Sequence, residues 1–516
     1  MKKEDRALAW EIIEKRVVEK IEGLSGADYR GQKISDGPAF FLKDLFEKEI
    51  PRLEKLKRPQ KAYLDTLKGL RQSDDLSAAV SVITKIYLKE ITGRLNPFWF
   101  NLISSIGPKL FSLVFVRKNI WKIMRNAIFQ VSIKPFFRLS GNDELIQELS
   151  RKGTLIVAPT HSSNLDSPLL GLGFHKMGLP PLIYGAGINL FEYKFFAFFM
   201  NQLGAFKVDR LKTNELYKLV LKEYCTYSLE IGYHNLFFPG GTRARSGEIE
   251  SKLKTGLLSC GIEAYCNNVA KKQSDKKIFI VPCTINYHSV LEAPTLIEDH
   301  LKREGQKRFI ISDDESSRPN DIFYFLRSSS KFYLHIGQPT DPFGNRVNEN
   351  GESIDSSGNV IDIEAVAKSV TNDNENYQWT KKSAREIVAS YKRNNVILNT
   401  HVVARVLYQE VRQRYPDRDV TELTFLEENR ESVDLSVLYD KVEILVDQLR
   451  KLHQSGEIIC SEDILTRNIT GVLQEGLEIL THFHWPSAIR KHGHNLIISN
   501  FKLLLFYQNK INGHDI

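Results

Sequence analysis

The stretch TLIVAPTHSSNLDSPLL, residues 154–170, carries the turn on which the reading of the fold rests. TLIVA is a short apolar run with the texture of a strand, Pro159 interrupts it, and a new apolar helical face begins after Asp166. A histidine at such a strand-to-helix turn is exposed at the edge of a sheet, where α/β proteins place their ligands. An imidazole titrates near neutrality, and a carboxylate on its other nitrogen fixes the tautomer and stabilises the charge gained as a base. His161 and Asp166 are therefore the candidate catalytic pair. In the alternative reading Ser163 caps the helix, Asp166 is the acid at its third position and His161 is an incidental loop residue. An isolated H-x4-D is short, so its weight depends on what accompanies it.

Outward from this turn, residues 150 to 340 alternate short apolar runs with helical segments. The runs are TLIVA (154–158), AFKV (205–208), NLFF (235–238), IFIVPCTIN (278–286) and FYLHI (332–336). Such alternation predicts an α/β domain, a largely parallel sheet flanked by helices. Between the second and third runs a helix is expected, with Thr213 as N-cap and Leu216, Leu219, Val220, Tyr224 and Tyr227 on one face. The domain reading is a helical N-terminal region over 1–92, a basic amphipathic segment over 93–142, the α/β domain over 143–340, a flexible loop over 341–376 and a helical C-terminal region over 377–516. The loop is read from its density of Gly, Asn, Ser and Asp. In the last region Leu435, Leu438, Val442, Leu445, Leu449 and Leu452 keep a 3,4 spacing for too few heptads to argue a coiled coil, and Gly456 is the expected stop.

Three further blocks follow the histidine. GAFKVDR (204–210) places Arg210 after a strand, FFPGGTRARSG (237–247) places a Pro-Gly-Gly turn and Arg243 after another, and IVPCTINY (280–287) puts a proline inside a third apolar run. Glycines at 240 and 241 let the backbone approach a ligand, and arginine offers a planar fork of donors suited to phosphate oxygens. Taken singly, each block also reads as an ordinary turn with a surface cation.

Together, in this order and spacing, the four blocks resemble those of the glycerol-phosphate acyltransferase superfamily, over roughly residues 150–340. The resemblance implies that His161 is the catalytic histidine and Asp166 its partner. Gly204 and Arg210 fall on the second block, Gly240, Gly241, Thr242 and Arg243 on the third and Pro282 on the fourth, as substrate-binding positions. Lys254 and Gly256 resemble a downstream lysine-glycine pair. INYHSVLEA (285–293) is similar to the fourth block of the larger glycerol-3-phosphate acyltransferase branch, which continues into a tyrosine and a glutamate, here Tyr287 and Glu292. The tail LLLFYQNKI (503–511) is similar to an aromatic-Arg-Asn ending seen in some of those proteins. Two positions depart from the pattern. Gly240 stands where the third block usually carries glutamate, and Asp209 stands where arginine is frequent in the larger branch. Both departures bear on the acceptor more than on the reaction.

The resemblance implies acyl transfer from acyl-CoA or acyl carrier protein to glycerol 3-phosphate, with dihydroxyacetone phosphate and lysophosphatidate as alternative acceptors. No metal and no cofactor is implied. A hydrolase is a competing class, but no G-x-S-x-G elbow is present. A membrane-bound scaffold whose domain has lost activity is another, motivated by Gly240.

Composition narrows the setting. With 42% hydrophobic and 26% charged residues the chain is neither disordered nor fibrous. Five cysteines without metal-ligand spacing point to a reducing compartment, and the charged N-terminus lacks the apolar stretch of a secretory signal, so a cytoplasmic location is expected. Between Glu90 and Asp143 there are eight basic residues, no acidic one, and many interleaved Phe and Trp. This suits a helix lying in a membrane interface, so the expectation is a peripheral or monotopic protein on the cytoplasmic face. A basic-flanked pair of core helices is the alternative. No nucleic-acid-binding pattern accompanies the charge.

Overall fold

The computed structural model describes residues 1–29, 32–55, 60–103, 137–191, 194–305, 331–424 and 430–514. Its centre is a seven-stranded sheet of β1 (Phe137–Gly141), β2 (Gly153–Pro159), β3 (Ile183–Gly187), β4 (Ala205–Val208), β5 (Asn235–Leu236), β6 (Lys277–Tyr287) and β7 (Phe332–Ile336). The spatial order is β1-β7-β6-β2-β5-β3-β4. Every neighbouring pair is parallel except β6 and β7, so five strands run one way and β1 and β7 run the other. The mixed, largely parallel sheet expected from the alternating runs is present.

The middles of β2 (155–158) and β6 (278–283) are apolar without interruption because both faces of the sheet are covered. Along β2, Leu155 and Val157 enter one hydrophobic core while Ile156 and Ala158 enter another. Along β6, Phe279, Val281, Cys283 and Ile285 join the first core, and Ile278 and Ile280 the second. The first core continues into the C-terminal region through Val402, Val406, Leu445 and Leu503. The second continues into the N-terminal helices through Ile13, Val17, Phe41 and Val80. The helical ends are therefore the two outer layers of a sheet domain.

The helix Glu215–Glu230 shows the consequence. Its expected apolar face is buried or half-buried, and so is nearly all of the rest, because the N-terminal helices cover the side away from the sheet. Its N-cap is Asn214, whose side chain accepts from the Tyr217 amide at 2.8 Å, and not Thr213. The helix starts one residue later, and asparagine caps at least as well as threonine. Arg16 reaches Glu230 through two hydrogen bonds of 2.7 Å, and Lys20 pairs with Glu223 and Glu263. These contacts fasten the first helix, Lys3–Gly23, across the domain.

Several boundaries differ from the sequence reading. The first strand, Phe137–Gly141, lies before residue 143 yet pairs with β7, so the sheet begins inside the stretch assigned to basic amphipathic helices. Neither β1 nor β3 was expected, since FRLSG and IYGAG are short and glycine-bearing, and only pairing with neighbours makes them strands. Residues 341–376 are a built excursion and not a flexible loop. Arg346–Val347 pairs with Ser353–Ile354, a helix spans Ile363–Ser369, and another starts at Asp373 behind an Asn372 cap. The C-terminal region contains the expected helix Leu435–Gln454, followed by Gly456 at φ +78°. It also contains an antiparallel three-stranded sheet of 432–434, 495–498 and 489–492. Most of the basic aromatic segment, residues 104–136, lies outside the described residues. Among those described, no helix is long and apolar enough to cross a membrane.

The C-terminal tail reaches back onto the loop after β5. Gly247 has φ +82°, and a Cβ there would stand 2.0 Å from the carbonyl oxygen of Phe506 in the helix Phe501–Gln508. Asn509 donates to the Ser246 carbonyl at 2.8 Å. Gly247→Ala combines left-handed strain with a backbone clash, so it is expected to destabilise the protein by roughly 3 kcal/mol or more. The expected readout is a lower melting temperature with faster proteolysis of the tail.

Candidate active site

β2 delivers the chain to the edge where β3, β4, β5 and the parallel part of β6 also point their C-terminal ends. There Thr160 ties the turn to β6: its amide donates to the Cys283 carbonyl at 3.0 Å, and its hydroxyl accepts from the Ile285 amide at 2.9 Å. The next helix begins at Asp166, so its carboxylate faces back over the turn instead of sitting one turn inside the helix. Oδ2 accepts from the amides of Ser162 at 2.6 Å and Ser163 at 2.9 Å, and meets His161 Nδ1 at 2.8 Å. Oδ1 accepts from the Tyr287 hydroxyl at 2.5 Å. Asp166 is fully buried. It therefore satisfies the turn's backbone donors and orients the imidazole, and the two readings of the motif hold together in one carboxylate.

Asp166 Oδ2 already accepts from two amides, so it meets Nδ1 as an acceptor, and in the neutral imidazole this puts the hydrogen on Nδ1 and leaves the lone pair on Nε2. The ring stacks on Phe238, with centroids 3.9 Å apart and planes at 19°, and its side chain remains 15% exposed. That is the arrangement of a general base: oriented from behind, flanked on one face, open at Nε2. Beside Asp166, burial lifts the Tyr287 hydroxyl well above its usual pKa, which keeps it a donor.

The loop after β5 grips the same turn. Gly241 takes φ +77°, and a Cβ there would strike the Lys254 side chain at 2.7 Å, so the lysine lies across the glycine. Ala244 donates to the His161 carbonyl at 2.7 Å. Arg243 is 3.4 Å from Glu292 Oε1, and the Glu292 carboxylate also accepts from the Asn164 amide and the Ser163 hydroxyl, each at 2.9 Å. Thus Arg243 is brought to the His161 turn through Glu292. Thr242, between Gly241 and Arg243, is half-buried in this loop.

The other expected residues are placed differently. Arg210 follows β4 at the same edge and is exposed, but β4 is three strands from β2, roughly 14 Å at the usual spacing of about 4.8 Å. Its turn is held by Asp209, whose side chain accepts from the Leu211 amide and whose own amide donates to Tyr217. Arg52 of the N-terminal region stands 3.9 Å from Asp209, and Lys212 pairs with Glu90. Gly204 lies at the opposite end of β4 from Arg210, where φ +92° makes the turn into the strand, so it is not at the site. Pro282 is buried within β6 opposite Ala158. Its missing N–H falls where the partner chain passes from β7 to the bridge between Thr340 and Ile280. There it shapes the strand.

Sequence reasoning did not find Thr160, Phe238 or Glu250. Glu250 is half-buried with its Oε2 shut off from solvent, its Oε1 accepts from the His161 amide at 2.9 Å, and desolvation pushes its carboxyl up to about 8. Tyr287 and Glu292 stand out in the sequence only through the resemblance, and nothing local marks them as partners of a turn more than 120 residues earlier. Among the described residues one cluster has metal-ligand types, His288 with Asp463 and Glu475. Lys331 bridges its two carboxylates, 2.8 Å from Glu475, so it reads as an ion-pair network.

The family model described as Acyltransferase matches residues 140–286. A glycerol-3-phosphate acyltransferase of Pseudoalteromonas translucida is 31% identical over 198 residues, and one of Aeromonas hydrophila is 29% identical over 198. Each match takes in 38% of this chain and 23% of the relative, so the chain spans less than a quarter of either. A crystal structure of the 1-acyl-sn-glycerophosphate acyltransferase of Thermotoga maritima aligns at 13% identity and a TM-score of 0.28, covering 68% of this chain and 93% of that one.

Tyr287→Phe removes one of four donors to a buried carboxylate and is expected to cost about 1–3 kcal/mol, read from chemical denaturation. Glu250 gives a pH signature. The folded protein holds this proton more tightly than the unfolded chain, so the contribution is complete below about pH 4.5 and is lost as pH rises through about 8. Glu250→Gln is expected to abolish that loss, gaining on wild type by up to about 1.4 kcal/mol per pH unit within that window.

Proposed function

On the premise that residues 140–286 belong to the acyltransferase family, we propose that this protein transfers a fatty acyl group from a thioester donor to the hydroxyl of glycerol 3-phosphate, with His161 as general base. The observation that carries this reading is the buried Asp166 holding His161 Nδ1 at 2.8 Å while Arg243 is tied to the same turn through Glu292. Nε2 takes the acceptor's hydroxyl proton as the oxygen attacks the thioester carbonyl. The tetrahedral intermediate collapses, the C–S bond breaks, and the imidazolium returns the proton to the leaving thiolate. No acyl-enzyme is needed. Arg243 is the nearer cation for the acceptor's phosphate, and Arg210 lies farther along the same edge.

The donor is acyl-CoA or acyl carrier protein, and dihydroxyacetone phosphate and lysophosphatidate are the alternative acceptors. The work is done at the cytoplasmic face of a membrane. Supporting this, Ile188 and Leu211, which follow β3 and β4 at the His161 edge, are exposed, as are Phe98 and Phe198. Lys207 and Arg210 lie close by in sequence, and apolar surface rimmed by cations suits an anionic bilayer.

His161→Ala is expected to lower turnover by about two to four powers of ten without changing the melting temperature much. The assay uses labelled acyl-CoA against the three acceptors in parallel. Activity retained by the variant, or thioester hydrolysis independent of any acceptor, refutes the reading. For the membrane, the protein is expected to sediment with anionic vesicles at low salt and to be released in part by high salt, with no binding to neutral vesicles.

A further inference from the structure

Position 240 has no side chain, yet the room a side chain would occupy is filled. Gly240 does not adopt the left-handed backbone that favours glycine. The three atoms nearest a Cβ built there all belong to the Glu250 carboxyl, its carbon at 2.7 Å and its oxygens at 2.9 Å. In a glutamate, Cβ and the carboxyl carbon are two bonds apart, about 2.5 Å with standard bond lengths and angles. A glutamate at 240 would therefore carry its carboxyl carbon at nearly the distance where that of Glu250 already stands.

We propose that Glu250 is a positioning residue for His161, occupying from ten residues downstream a carboxyl site reachable from either position 240 or position 250. This rests on the acyl-transfer reading in so far as His161 is the base. The contact that matters is the hydrogen bond from the His161 amide to Glu250 Oε1 at 2.9 Å. With the Ala244 amide on the His161 carbonyl, it holds the peptide groups on both sides of the histidine α-carbon against one loop. Asp166 fixes the ring and Glu250 fixes the backbone from which the ring projects. A misplacement of about 1 Å at a reacting group can lower the rate about a hundredfold.

Glu250 has the surroundings of a built site and not of a surface acid. The residue is half-buried, but its Oε2 is cut off from solvent and has no hydrogen-bond partner among the described residues. It lines a small cavity behind the turn with Ser162, Tyr391, Asn395 and Lys510. Lys510, in the tail, is buried, and burial lowers its pKa while Glu250 and Asp166 act to raise it. The C-terminal tail thus closes the back of the same pocket.

The test is to move the carboxyl. Glu250→Ala, Glu250→Gln, Gly240→Glu and the double variant Gly240→Glu/Glu250→Ala are compared for kcat, KM and melting temperature. The titration of the His161 ring, followed by NMR, reads the imidazole's placement without any turnover. Glu250→Ala is expected to lower kcat roughly 30- to 100-fold with KM changed less than about threefold, and to shift the ring titration. Glu250→Gln keeps an acceptor for the His161 amide and is expected within about threefold of wild type. Gly240→Glu alone forces two carboxyls into one site and is expected to be impaired, whereas the double variant recovers both kcat and the ring titration to within about fivefold of wild type. A double variant no better than Glu250→Ala in both readouts overturns the proposal, as does a Glu250→Ala protein with wild-type kcat and titration. Wild-type turnover, measured first against a His161→Ala blank, tests the acyl-transfer reading separately. Should it fail, the ring titrations of the four variants still decide this one.

Discussion

The site is organised around one buried carboxylate. Asp166 receives four donors, two amides of its own turn, the imidazole Nδ1 and the Tyr287 hydroxyl. Placing a carboxylate out of water costs several kcal/mol, and hydrogen bonds to a charged group return about 1.5–3 kcal/mol each, so only a full set of donors offsets the burial. That requirement constrains everything nearby. The helix must begin at Asp166, the turn must aim Ser162 and Ser163 inward, and β6 must run far enough to present Tyr287. A histidine held this way has little freedom of tautomer or orientation, which is what a base needs.

Around that carboxylate, separate parts of the chain each fix one element of the edge. Glu292 joins Arg243 to Ser163 and Asn164. The N-terminal helices reach the Arg210 turn through Arg52 near Asp209 and Glu90 on Lys212. Asp209, a departure from the resembled pattern, therefore has a local partner and a role in shaping the turn. The tail packs on Ser246 and Gly247 and sends Lys510 behind His161. The two helical ends act as the braces of a domain whose His161 edge is made of turns. Turns have few backbone hydrogen bonds of their own and hold a shape only when something packs on them.

The absent glutamate at position 240 takes on a different meaning in this setting. Read along the chain it is a loss, and it motivates an inactive scaffold. In three dimensions the space is filled by Glu250, whose carboxyl grips the histidine's amide.

The sequence by itself determined the sheet's central strands, the strand-to-helix turn with its histidine and aspartate, and the order of the glycine and arginine turns that follow. These are local facts: a run buried on both faces must be apolar throughout, and residues five apart across a turn meet whatever surrounds them. Only the tertiary structure decided that Tyr287, Glu292 and Glu250 complete the turn, that Gly204 lies at the far edge, that Arg243 is the nearer cation and that FRLSG and IYGAG become strands. Each of these depends on which strands lie side by side and which way they run. That is set by packing between distant segments, and a chain read one residue after another does not carry it.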